Sequence, residues 1–383
     1  MMEQQRQIGY DVIRLMNCAI HGTTPDRETL AEMDLPAVHK MAARHSVVAM
    51  LYHPLERALA AYGREALPCD DDLLRLWKEE KGRSVRRSIL FDEERQKVYA
   101  YMDEAGIWYL PLKGILLQEY YPKMGMRQMA DNDILFDPAY RRDIRRYFKK
   151  NGYKVAAYGR VIHDTYQKEP FYNFEMHVDL AVESQKRKYP KYRNIRRLLV
   201  RQSKERMECR FTDKDFYIHL MMHAYHHLEG GGFGLRTFAD VAVFTQAKGA
   251  ELDWEYIHRD LEQLELSDFE LEIHQLAHAL FGQEQFCPQR LTAEEAERLD
   301  YYIGSGTYGT KENHMKQMGV ETDRRGYLRQ RLFPPMGFYE DNFPLLYKYR
   351  ILIPFFLLFR AARLLFTGFG RFATELKLMK KMK

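Results

Sequence analysis

Residues 107–136 read IWYLPLKGILLQEYYPKMGMRQMADNDILF. Ile107 to Leu112 is short, apolar and aromatic, and follows Gly106, which is the pattern of a buried strand. Lys113-Gly114 makes a turn, Ile115 to Tyr121 reads as a helix, and Pro122 stops it. A loop containing Gly125 leads to Asp131, and Asn132 to Phe136 reads as a second strand. Alternate residues of a strand share a side, so Asp131 and Asp133 aim two carboxylates at one place. Two such charges repel unless a cation lies between them. Mg²⁺ (or Mn²⁺) is the expected partner, because hard oxygen ligands suit it and it bridges to nucleotide phosphates. An Asp-x-Asp pair alone is common on solvated loops, and attachment to a buried strand is what gives this one weight. A glycine at a strand-to-helix turn lets a phosphate approach the backbone, and a helix N-terminus favours anions. Lys113 would add a point charge; the competing reading is an ordinary turn with a solvated lysine.

Further on, Pro138 opens a helix that ends near Asn151-Gly152, and 153–157, 161–167 and 171–182 read as strands. The expected core is an α+β unit over residues 106–190, a small mixed β-sheet with helices. Within its last strand, Glu175-Met176-His177-Val178-Asp179 alternates polar and apolar residues. Glu175, His177 and Asp179 therefore share a face, and a third acid facing the Asp pair would complete a metal clamp. The alternative is an edge strand with a solvated polar face.

On both sides the core is flanked by helical sequence, 1–105 before it and 191–305 after it. Residues 70–105 form a charged stretch with Gly82 as its one breaker, readable as one long helix or two stacked ones. In the second flank, His219, His223 and His227 fall four apart on one helix. His-x₃-His is a zinc spacing, but no HExxH glutamate or third ligand accompanies it. Packing or hydrogen bonding against the core is the expected role. Arg236 and Asp240, also four apart, would pair on their helix.

The last segment, 306–383, reads as a polar, glycine-punctuated loop followed by a basic amphipathic tail. Residues 344–383 hold nine Lys/Arg and one acid, a local charge of +8 within a chain of net +5. The rest of the chain is therefore slightly acidic, and the pI is no argument for nucleic-acid binding. Ile351 to Phe359 is apolar but too short to span a bilayer. It reads either as a helix docked on the protein by its apolar face, the favoured account, or as an interfacial segment peripheral to a membrane. Hydrophobic residues at 46% make a folded globular chain the default reading. Four scattered cysteines with no C-x-x-C pair, and no apolar run at the N-terminus, point to a reducing cytoplasm.

Taken together, "LPLKGILLQEYYPKMGMRQMADNDILF", "GYKV" and "FEMH", followed by "HLMMHAYHH" and "LRTFADV", resemble a largely uncharacterised bacterial nucleotidyltransferase family of the polymerase-β-like superfamily. The matching positions are Lys113, Gly114, Tyr121, Pro122, Arg127, Asp131, Asp133, Glu175 and His177, then His223, His227, Arg236 and Asp240. The resemblance implies transfer of a nucleoside monophosphate from an NTP such as ATP to an acceptor hydroxyl, with release of pyrophosphate. It implies metal ligation by Asp131, Asp133 and Glu175, with Asp179 as the alternative third acid. Lys113, Gly114 and Arg127 are the expected phosphate-binding residues, although Arg127 serves equally as a brace for its loop. His177, His223 and His227 are candidates for the acceptor pocket. Two departures stand out: Asn132 replaces the usual apolar residue between the aspartates, and Lys-Gly replaces the Gly-Ser turn of better-known superfamily members. Asn132 gives footing to a second reading, a catalytically inactive nucleotide-binding or interaction protein that keeps the fold. The acceptor, the nucleobase and the oligomeric state are open at this level.

Overall fold

The computed structural model describes residues 2–307, 309–310, 313–314, 326, 329 and 332–363. The N-terminal flank folds into helices α1 (Met2–His21), α2 (Arg27–Ala31), α3 (Leu35–Arg44), α4 (Val48–Tyr62) and α5 (Asp71–Glu104). Three aspartates cap them: Asp26, Asp34 and Asp70 accept the backbone N–H of Thr29, Ala37 and Leu73, satisfying donors that a helix start leaves open. The charged stretch over 70–105 is thus one helix of 34 residues. Val12, Ile13, Leu15 and Met16 of α1 are fully buried, as their spacing requires.

The core follows as β1 (Tyr109–Pro111), α6 (Gly114–Leu117), β2 (Asn132–Phe136), α7 (Arg141–Lys150), β3 (Lys154–Ala157), β4 (His163–Lys168) and β5 (Tyr172–His177). The five strands form one mixed sheet in the order β1-β2-β5-β4-β3. β2 and β5 run parallel, with Asp133 opposite Glu175, and the other pairs are antiparallel. One face packs on α5 and α7, where Phe91, Tyr99 and Met102 meet Ile134, Phe136, Phe148 and Phe174. Leu110, Leu112 and Leu135 point the other way, into a larger core shared with the helical flanks. The sheet is an α+β core, as expected, but its last strand stops at His177, and 178–182, expected to continue it, form a loop leading into α8 (Glu183–Lys188).

Residues after 191 are not all helical. β6 (Leu199–Arg201) and β7 (Cys209–Phe211) form a hairpin, and Met207 and Glu208 dock beside Tyr109 at the edge of β1. Strands of three residues carry too little alternation to show a period, and covering an exposed sheet edge is a tertiary need. Beyond them come α9 (Asp213–Glu229), α10 (Arg236–Lys248), α11 (Trp254–Gln263), α12 (Ser267–Phe281) and α13 (Ala293–Ser305). These helices close on the N-terminal flank. Asn17 donates to the carbonyls of Leu280 and Gln283, and Arg6 pairs with Asp300. The chain continues through α14 (Met336–Asn342), α15 (Pro344–Lys348) and α16 (Ile353–Arg363). The glycine-punctuated loop and the end of the basic tail lie largely outside the described residues.

Candidate active site

Between the free face of the sheet and α9 and α10 lies a cleft of ≈ 430 Å³, within the size range of small-ligand sites. Asp131 and Asp133 both line it, at the start of β2, and so do Glu175 and His177 of β5. Parallel pairing sets Asp133 beside Glu175 in register, so strand geometry turns acids 42 positions apart toward one spot. Asp133 is the hub. Lys113 Nζ donates to its Oδ1 at 3.0 Å, and His177 Nε2 lies 2.8 Å from the same oxygen.

Lys113 reaches that position by a local distortion. Its φ of 47° and ψ of −114° place a long side chain in the left-handed region, at a cost of roughly 1–3 kcal/mol. The residue caps α6, and the unusual backbone turns its ammonium into the cleft.

Charge in this cluster is unevenly met. Burial opposes ionisation of Asp133, but Lys113 and His177 overcome it and hold that carboxyl well below the usual range. Burial and then the Asp133 charge push Asp131 up to about 6. The same two causes, with Asp131 added, push Glu175 up to about 7. One lysine is therefore too little positive charge for three acids. His163 on β4 faces the same place, because the antiparallel register sets it opposite His177. Its Nε2 is 3.7 Å from Glu175 Oε2. Among the described residues, ligand atoms of His163, Glu175 and His177 all lie within 4.8 Å of one another, close enough to share a metal ion. Sequence reasoning missed His163; the alternating polar residues of 163–167 were its only signal.

Asp179 is engaged elsewhere. Its carboxylate accepts the N–H of Leu180 at 2.9 Å and pairs with Lys186, and it does not line the cleft. Arg127 is committed as well: Nε and Nη2 bind both oxygens of Asp240 at 2.8 and 2.9 Å, and Tyr121 Oη donates to Asp240 at 2.7 Å. Asp240 thus meets a residue 113 positions away, in place of the expected pairing with Arg236 as its main contact, and Arg236 donates to the Gln128 carbonyl at 2.9 Å. Gly114 lies directly beneath this brace. A Cβ there would collide with Arg127 Nη1 and come within 2.9 Å of Met129 Sδ. The close approach that Gly114 permits is that of the guanidinium.

Asn132 points away from the acids, into the opposite core. Arg95 Nη1 of α5 donates to its Oδ1 at 2.8 Å, while its buried Nδ2 has no hydrogen-bond partner; β2 keeps a regular register. The loop before β2 is pinned too, since Ser84 Oγ donates to the Gly125 carbonyl at 2.7 Å. Gly125, with φ of 80°, sits where a Cβ would meet the Val85 backbone at 2.9 Å. Across the cleft, His219, His223 and His227 form a wall on α9. His223 Nε2 and His227 Nε2 are 3.1 Å apart. Burial, followed by the Lys113 charge, lowers all three, with His219 at about 3 and His227 at about 4, so the wall is neutral at pH 7.

A small mixed sheet turns acids from two parallel neighbours into one cleft, roofed by helices, in an α+β core. The chain belongs to the uncharacterised nucleotidyltransferase family, whose profile matches residues 31–282. The match takes in α3 through α12 and leaves the C-terminal helices outside. No curated protein and no solved structure gives a significant match.

Proposed function

We propose that this protein transfers a nucleoside monophosphate from an NTP to an acceptor hydroxyl, releasing pyrophosphate, and needs Mg²⁺ or Mn²⁺ to do so. The observation that carries the reading is the charge imbalance in the cleft. Three acids converge, one is held ionised by Lys113, and the other two are pushed up to about 6 and about 7 by burial and mutual repulsion. A divalent cation is what such a set lacks, so the residues fit the metal. Asp131, Asp133 and Glu175 would hold it, with His163 and His177 as neighbouring nitrogen donors. A bound ion would supply charge for the triphosphate and polarise its α-phosphate.

The chain's own groups account for the remainder. Lys113 offers an ammonium at the cleft wall, where negative charge builds on the phosphate oxygens. The acceptor oxygen attacks the α-phosphorus, the bond to the bridging oxygen breaks, and pyrophosphate leaves with the electron pair. Glu175, as a carboxylate at the cleft wall, would be placed to take the acceptor's proton. The neutral imidazoles of His223 and His227 can exchange hydrogen bonds with a hydroxyl-bearing acceptor without adding charge. Arg127 acts as a brace that fixes the loop before β2. The catalytic core is assigned to residues 106–190, with α9 and α10 of the 191–305 region closing the cleft. The chain's four free cysteines suit a reducing cytoplasm.

The inactive-protein reading loses its main footing once Asn132 faces Arg95 instead of the acids. Pyrophosphate release should be measured with each NTP, Mg²⁺ or Mn²⁺, and a panel of hydroxyl-bearing acceptors. Turnover that disappears in Asp133→Asn, with the fold intact by circular dichroism, is expected. Nucleotide binding with no pyrophosphate formed under any condition would favour a binding protein instead.

A further inference from the structure

Among the described residues, the most exposed apolar surface lies on the C-terminal helices. Ile351 is 80% exposed, Leu358 70% and Phe355 68%, with Leu345, Leu352 and Phe359 exposed beside them. Leu352, Phe355, Leu358 and Phe359 follow three- and four-residue spacing, so they form one stripe on α16 and the turn before it. The opposite side of α16 is already packed. Phe356 meets Phe343 and Tyr339 at ring-centroid distances of 4.7 and 6.1 Å, and the Arg360 guanidinium lies 5.2 Å over the Phe338 ring. Only that side of the helix is covered, and an apolar stripe left exposed opposite it marks a surface to be buried by something else.

Charge identifies the occupant. Lys348 and Arg350 stand exposed just before the stripe, and residues 344–383 carry nine cationic residues against one acid. A second copy of the chain would bring two segments of +8 together, and that repulsion disfavours self-association. No helix of the described residues is long and apolar enough to cross a membrane. We propose that this segment docks on an anionic membrane surface, with the apolar stripe in the headgroup layer and Lys348 and Arg350 against the lipid phosphates. Apolar burial and a basic cluster together supply the two signals that stable peripheral attachment needs. The sequence favoured docking of this helix on the protein; Phe356 does so, and the stripe does not.

The full-length chain should be co-sedimented with phosphatidylcholine vesicles, with and without phosphatidylglycerol. Partition onto the anionic vesicles should be at least about tenfold stronger and should weaken at high salt. Phe355→Glu with Leu358→Glu should lower it about tenfold or more, and Lys348→Gln with Arg350→Gln should lower it several-fold. Both pairs leave circular dichroism unchanged, because the substituted side chains are exposed. Equal binding to both vesicle types, or binding to neither, would overturn the proposal. So would a wild-type dimer, seen by light scattering, that the Phe355→Glu, Leu358→Glu pair dissociates.

Discussion

Tyr121, Arg127 and Asp240 form one buried charge network beside the cleft, and Lys113, Asp133 and His177 form another. In the first, both oxygens of the acid meet a planar fork and a phenol adds a third bond. Nothing in it calls for a ligand. In the second, the central acid is also well partnered, yet Asp131 and Glu175 crowd it and are driven toward protonation. The first network holds a loop to a helix; in the second, the proposed metal ion would supply the positive charge that Asp131 and Glu175 lack. Burial and ion pairing alone therefore do not distinguish a site from a strut. The balance of charge does.

Substitutions should separate the two networks, and the largest effect is expected at the hub. Asp133→Asn should lower nucleotidyl transfer by about 10³-fold or more, the scale for losing a preorganised electrostatic group, while circular dichroism stays native. Retained activity would place the chemistry elsewhere. Arg127→Met should instead show itself in folding, with a loss of about 3–5 kcal/mol in urea unfolding, because it leaves Asp240 buried without its cation. A change within about 0.5 kcal/mol would mean that the brace is ornamental.

Next in size is ligand linkage. Mg²⁺ at a hundredfold excess over its Kd should stabilise the wild type by about 2.7 kcal/mol, a gain that thermal unfolding can follow and that Glu175→Gln should largely abolish. Equal stabilisation in that variant would remove Glu175 from the metal set. The smallest effect sharpens the strut. Gly114→Ala should cost about 1–3 kcal/mol, the usual penalty for overpacking, because the new methyl group meets Arg127 and Met129. A neutral result in urea unfolding would show that the guanidinium can shift.

How far the sequence foretold this depended on distance along the chain. Asp131 and Asp133 were legible because two residues and an apolar run suffice to set a strand face. Glu175 and His177 were legible through their alternation, and the parallel register then brought the third acid to the second. His163 was not, since its position opposite His177 exists only after β4 and β5 pair. Arg127 admitted two roles until Asp240 arrived from 113 residues away. Asn132, the apparent departure from the family pattern, made sense only with Arg95, supplied by a helix 37 residues earlier. The β6–β7 hairpin was invisible because three residues cannot show a period.

Mn²⁺ binding followed by electron paramagnetic resonance tests the central claim most directly, since free and bound ion are distinguished without any knowledge of the acceptor. Saturable binding to the wild type is predicted, lost in Asp131→Asn with Asp133→Asn while Arg127→Lys keeps it. Binding unchanged by removal of both aspartates, or none in the folded wild type even with an NTP present, would contradict the account.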